Sequence, residues 1–155
     1  MAERIASVVP AVVAGAWAGV LACIGAIAAP AAFAVLARVD AGKFVGRVFM
    51  VEAYISLALA VLLFLAERHR TRNAAEAGVG SLLSANLVLL LGTLFCTVAG
   101  YFAIEPMMEA ARLGQGRWTV GTLHAVSVSL FMLKGVLVLV LAWRLTASVR
   151  PSATS

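Results

Sequence analysis

Polar side chains are grouped along this chain, and four apolar stretches lie between the groups: about Ser7 to Leu36, Phe44 to Ala66, Ser81 to Ile104 and Val120 to Leu145. Each meets the requirement of roughly 20 residues for a helix that crosses a bilayer. The pattern predicts one all-α domain over residues 1–150, a polytopic membrane protein with four transmembrane helices in an antiparallel bundle. Residues 151–155 are expected to form a disordered tail. Pro106 disfavours helical geometry at Glu105, so the third span should end there. Met107 to Leu113, closed by Gly114, then reads as a short interfacial helix with Glu109 and Arg112 toward water.

Composition agrees with that class. Of 155 residues, 63% are hydrophobic and only 12% charged, against roughly 25% charged in soluble domains. The first apolar stretch far exceeds the roughly 7 to 15 residues of a signal-peptide core, so it is expected to be a retained helix. The net charge of +5 hides no long basic tract; ERHRTR, residues 67–72, reads as part of a polar loop between spans. Such a loop anchors topology at a membrane face, and nucleic acid is not an expected partner. Four spans place Arg4, Arg68, Arg70, Arg72, Arg144 and Arg150 on one side, against Arg38, Lys43, Arg47, Arg112 and Arg117 on the other. The density of the second loop favours cytoplasmic termini in a cell (inner) membrane.

Charge inside the spans changes the picture further. Lys134 lies near the middle of the fourth span, where a lysine costs roughly 2.5 to 3.5 kcal/mol on insertion scales and tends to face a partner in the bundle interior. The only acidic residue within another apolar stretch is Glu52. Counted at about 1.5 Å per residue, His124 lies about 6 Å in, Glu52 about 12 Å and Lys134 about 21 Å. Phe49, Glu52 and Ser56 share a helical face, as do His124, Ser127, Phe131 and Lys134. Two readings stand side by side: a buried Glu52–Lys134 pair that fixes helix packing, or a ligand or ion pocket formed by Glu52, His124, Ser127 and Lys134.

Other features are weaker. Gly15 and Gly19 form a GxxxG pair on a small-residue stripe, expected to pack against a neighbouring helix in the bundle or in a second copy. Asn86, Thr93, Thr97 and Tyr101 lie close to one face of the third span, but threonine hydroxyls in membrane helices often bond back to their own backbone. Cys23 and Cys96, with Met50, Met107, Met108 and Met132, raise a soft-metal alternative for Cu(I), although no CxxC, MxxxM or HxxxH spacing supports it. No GxSxG elbow, HExxH helix or Walker loop is present, so no enzyme activity and no cofactor are expected.

Several of these residues together resemble the transmembrane-protein-205-like family: Trp17 and Gly19 with Ala29, Pro30 and Phe33; Ala41, Gly42 and Gly46; Glu105, Pro106 and Met107; and Leu123, His124 and Ser127. The resemblance spans nearly the whole chain. It implies a four-helix integral membrane domain of unknown function, with Pro30, Gly42, Glu105, Pro106, His124 and Ser127 gathered at one membrane face. The functional expectation is binding or movement of a small solute or ion through a polar intramembrane pocket. The alternative is a structural or assembly subunit, with a second copy or another membrane protein as partner besides the lipid bilayer.

Overall fold

A computed structural model describes residues 2–78 and 83–149, with side chains from Val8 onward. Arg4 and Arg150 of the topology count, the expected start of the third span at Ser81 and the tail at 151–155 lie outside what is described at the side-chain level. The described residues are helical apart from short connections. They form α1 (Ala2–Cys23), α2 (Ala29–Val35), α3 (Arg38–Glu76), α4 (Ala85–Thr97), α5 (Ile104–Arg112) and α6 (Val120–Val149). A π-helical turn at Ile24–Ala28 joins α1 to α2, and a second at Val98–Ala103 joins α4 to α5. Four continuous helices are thus long and apolar enough to cross a membrane: Val8–Val35, Arg38–Glu76, Ala85–Arg112 and Val120–Val149.

Both π turns are followed within a few residues by a proline, Pro30 and Pro106. A proline inside a helix lacks its backbone donor and clashes with the turn before it, and a widened turn there relieves the clash. The helix therefore passes through Glu105 and Pro106 rather than ending there, so the segment expected to stand apart as a surface helix continues the third long helix to Arg112. The second loop also differs from expectation. α3 continues through Glu67 to Glu76, because Glu67 and Thr71 are buried against the bundle and Arg72 pairs with Glu76 one turn on, Nε to Oε1 2.9 Å. Ser84 begins α4, its hydroxyl accepting from the Leu87 amide at 3.2 Å, which satisfies one of the free donors at the helix start.

Contacts along α3 and α4 run in opposite numerical order: Tyr54 meets Tyr101 and Phe102, whereas Glu67 meets Ser84 and Asn86. Along α6, Gly100 lies against Leu130, Gly92 against Leu137, and Asn86 against Arg144. α1 packs along α6, α6 along α4, and α4 along α3; α2 meets the start of α3, while α1 itself scarcely packs along α3 among the described residues. The apolar core joins Ala14, Trp17 and Leu21 with Ala60, Leu63, Leu90, Val138 and Leu141. A side chain added at Gly25 would stand 3.0 Å from the Phe131 ring, and one at Gly92 3.0 Å from Leu137. These glycines allow the close approach between helices. Gly15 and Gly19 do not: both are exposed, and an added Cβ would meet nothing within 4 Å.

Candidate functional site

The centre of the molecule is polar. Lys134 Nζ donates to both oxygens of Glu52, at 2.7 Å to Oε1 and 2.8 Å to Oε2. Both residues are buried, Glu52 5% and Lys134 4% exposed. Ser56, one turn beyond Glu52 on α3, donates its hydroxyl to Glu52 Oε1. Trp17 Nε1 in turn donates to Ser56 Oγ at 2.9 Å. The α1 indole, the α3 hydroxyl and carboxylate and the α6 ammonium thus form one connected network. Phe131 lies beneath the ammonium, 5.1 Å from Nζ to the ring centroid, and packs edge-on against Phe49 at 5.0 Å. An aromatic face at that distance attracts a cation and adds to the stabilisation of the buried charge.

No buried side-chain nitrogen or oxygen among the described residues lacks a hydrogen-bond partner. In lipid that completeness matters, since an unpaired charge left in the interior costs several kcal/mol while a paired and hydrogen-bonded one is tolerated. The network also ties α3 to α1 and α6, beside the apolar core that Ala60 and Leu63 share with those helices. Between α1 and α3 the molecule opens into a cleft of about 270 Å³, walled by Val20, Ile24, Val48, Val51 and Ile55, with Trp17, Ser56 and Glu52 beside it and Arg47 at one end.

Of the expected pocket residues, Glu52 and Lys134 are brought together and the other two stay apart from them. His124 is exposed on α6 and makes no hydrogen bond among the described residues; Ser127 is half-buried and likewise unbonded. Both were expected on the side of α6 that carries Lys134, yet Lys134 is buried and His124 is exposed. Among the family-pattern positions, Trp17 is buried, Glu105 is half-buried with its carboxylate 3.9 Å from Arg112, and Gly19, Pro30, Phe33, Gly42, Gly46 and Pro106 are exposed. Thr93 and Thr97 are buried with their hydroxyls turned back to the Leu89 and Thr93 carbonyls, both at 2.9 Å. Cys23 is exposed, Cys96 is buried, and no group of three or more His, Cys, Asp or Glu among the described residues is arranged to hold a metal ion.

Two participants were not singled out from the sequence for these roles. Trp17 was noted as a pattern residue, not as a donor, because an indole in an apolar stretch carries no sign of which way its N–H points. The second is a polar cluster at the other end of α3. Glu67 Oε1 accepts from Ser84 Oγ at 2.9 Å and Asn86 Nδ2 at 3.1 Å, Arg70 lies 3.3 Å from Oε2, and Asn86 Oδ1 accepts from Arg144 Nε at 2.9 Å. A cavity of about 60 Å³ adjoins it. The spacing of Leu63, Glu67 and Thr71, which continues the buried face of α3, was the available signal.

Four long apolar helices fit an integral membrane protein of unknown activity. Neither a curated protein nor a solved structure matches the chain. Nothing confirms the finer resemblance to the transmembrane-protein-205-like family. One family model matches residues 12–117, a span that includes Trp17, Glu52 and Ser56 and stops before α6 with Lys134. On that match the chain belongs to the family described as a domain of unknown function, DUF4149.

Proposed function

We propose that this protein binds a small molecule within the membrane, at the cleft between α1 and α3, with the Glu52–Lys134 pair as the polar centre beside it. The observation that carries the reading is the cleft itself: about 270 Å³ of space adjoining a buried, charge-paired network. Intramembrane ionisable groups face cavities or partners far more often than lipid, and they mark ligand and ion paths. In this reading the four long helices form an antiparallel bundle across the cell (inner) membrane with cytoplasmic termini, α5 sits at the interface, and the protein is not an enzyme. α5 suits that position: Met108 is buried while Glu109 and Arg112 are exposed. Native mass spectrometry of detergent-purified protein tests the binding. A retained small species, lost when Val51→Trp fills the cleft while helicity is unchanged, is the expected result. Wild-type protein that is always empty would end the proposal.

A second reading rests on a different observation. A Cβ added at Gly15 or Gly19 would meet nothing within 4 Å among the described residues, and small residues let membrane helices approach closely. An assembly role predicts that crosslinking in membranes recovers a dimer or a partner complex that Gly19→Leu abolishes. Recovery of monomer alone would remove it.

A further inference from the structure

The cleft between α1 and α3 opens sideways. Those two helices scarcely pack along each other among the described residues, and Trp17 crosses the gap to Ser56. Its walls are aliphatic on both sides, Val20 and Ile24 facing Val48, Val51 and Ile55. The polar groups beside it are already engaged: the Trp17 N–H is used on Ser56, the Ser56 hydroxyl on Glu52, and both Glu52 oxygens on Lys134. That leaves little for a polar solute and suits an apolar one. At about 270 Å³ the space falls below the roughly 300 to 1,000 Å³ of drug-sized pockets, which favours a slender chain over a ring system. From Arg47 to Ser56 the groove follows α3 over ten residues, about 13 Å from end to end at the helical rise. That is close to one leaflet, half of the roughly 30 Å hydrocarbon core.

Charge identifies the head of the ligand. Lys134 cancels Glu52, whereas Arg47 at the end of the cleft is exposed, with no carboxylate partner among the described residues. Its one side-chain hydrogen bond among the described residues is a weak one, NH1 to the Met50 thioether at 3.7 Å. The lined space therefore carries one uncompensated positive charge, placed in the first turns of the span where headgroups lie. We infer that the cleft holds one acyl chain of an anionic phospholipid drawn from the surrounding leaflet, with its phosphate on Arg47. The inference rests on the binding reading above and names the ligand class for that site.

Native mass spectrometry with phosphatidylglycerol and phosphatidylcholine of identical acyl chains, titrated into the full-length protein in neutral detergent, tests it. Phosphatidylglycerol should bind about fivefold more tightly or better, the effect of one arginine near an anionic headgroup. Arg47→Gln should erase that preference, and Val51→Trp should remove both lipids. Val20→Trp, on the opposite wall, provides a second block; Val20 and Val51 are both about half exposed, so neither change disturbs the core. Equal binding of the two lipids, a preference that survives Arg47→Gln, or binding unaffected by both tryptophans overturns the inference. A retained non-lipid species displaced by either tryptophan also overturns it while leaving the binding proposal standing. A protein empty of any species overturns both.

Discussion

At the scale of single residues, the Glu52–Lys134 pair dominates. Replacing one member leaves the other charged and unpaired in a low-dielectric interior, which typically costs about 3 to 5 kcal/mol. Lys134→Met and Glu52→Leu are therefore each expected to destabilise the protein strongly in detergent unfolding. The double variant should recover most of that loss, because an apolar pair of similar volume avoids the desolvation cost of both ions. A double variant as unstable as the two losses combined would show that Glu52 and Lys134 act independently. Trp17→Phe tests the neighbouring link. It removes the donor to Ser56 but leaves Ser56 bonded to Glu52, so a loss of about 1 kcal/mol is expected. Ser56→Ala should cost more, about 1 to 3 kcal/mol, since it strands the buried Trp17 N–H and removes a donor from the carboxylate.

At the scale of elements, α3 is the unusual member. Its 39 residues span about 58 Å at the helical rise, nearly twice the roughly 30 Å hydrocarbon thickness. The end from Glu67 to Glu76 accordingly continues past the apolar stretch, held by Ser84, Asn86 and its own i,i+4 pair. Hydrogen exchange should find the amides from Glu67 to Thr71 protected well beyond those of an open loop. Rapid exchange there would restore the loop expected from composition. Asn86→Leu removes a donor from Glu67 and the acceptor for Arg144, so protection at Glu67 to Thr71 should fall and stability drop by about 1 to 3 kcal/mol. The two π turns belong to this scale as well. Each absorbs the proline that follows it, which is why a rule that ends helices before proline failed at Glu105. The rule describes the local steric clash correctly, but a helix held by neighbours in the bundle widens by one residue instead of stopping.

At the scale of the whole molecule, the Gly15 and Gly19 face of α1 and the cleft lie on different sides of the same helix, one where an added Cβ would meet nothing among the described residues and one walled by α3. Gly19→Leu should leave the unfolding midpoint of the monomer unchanged, since beyond the backbone of its own turn no atom of the described residues lies within 4 Å of the added Cβ. A fall in oligomer mass without a fall in monomer stability would then assign that face to a second copy, whereas a destabilised monomer would contradict its exposure.

What the sequence by itself determined was the class of the protein and its central pair. A backbone in lipid must satisfy its polar groups internally, so four stretches of this length and composition can only be helices. With Glu52 the one acid within those stretches and Lys134 the one base near the middle of a stretch, Arg47 and Arg144 lying toward the ends, economy of charge points each to the other, and the two are in contact. Only the tertiary structure decided that Trp17 and Ser56 join that pair, that His124 turns away from it, that Gly25 and Gly92 rather than Gly15 and Gly19 set the helix approaches, and that α1 and α3 stand apart around a cleft. The reason is the solvent. A helix in water marks its inner face by hydrophobicity, but a helix in lipid is apolar all round. Its rotation and its neighbours follow from shape and a few polar contacts across the bundle, which leave no period in the chain.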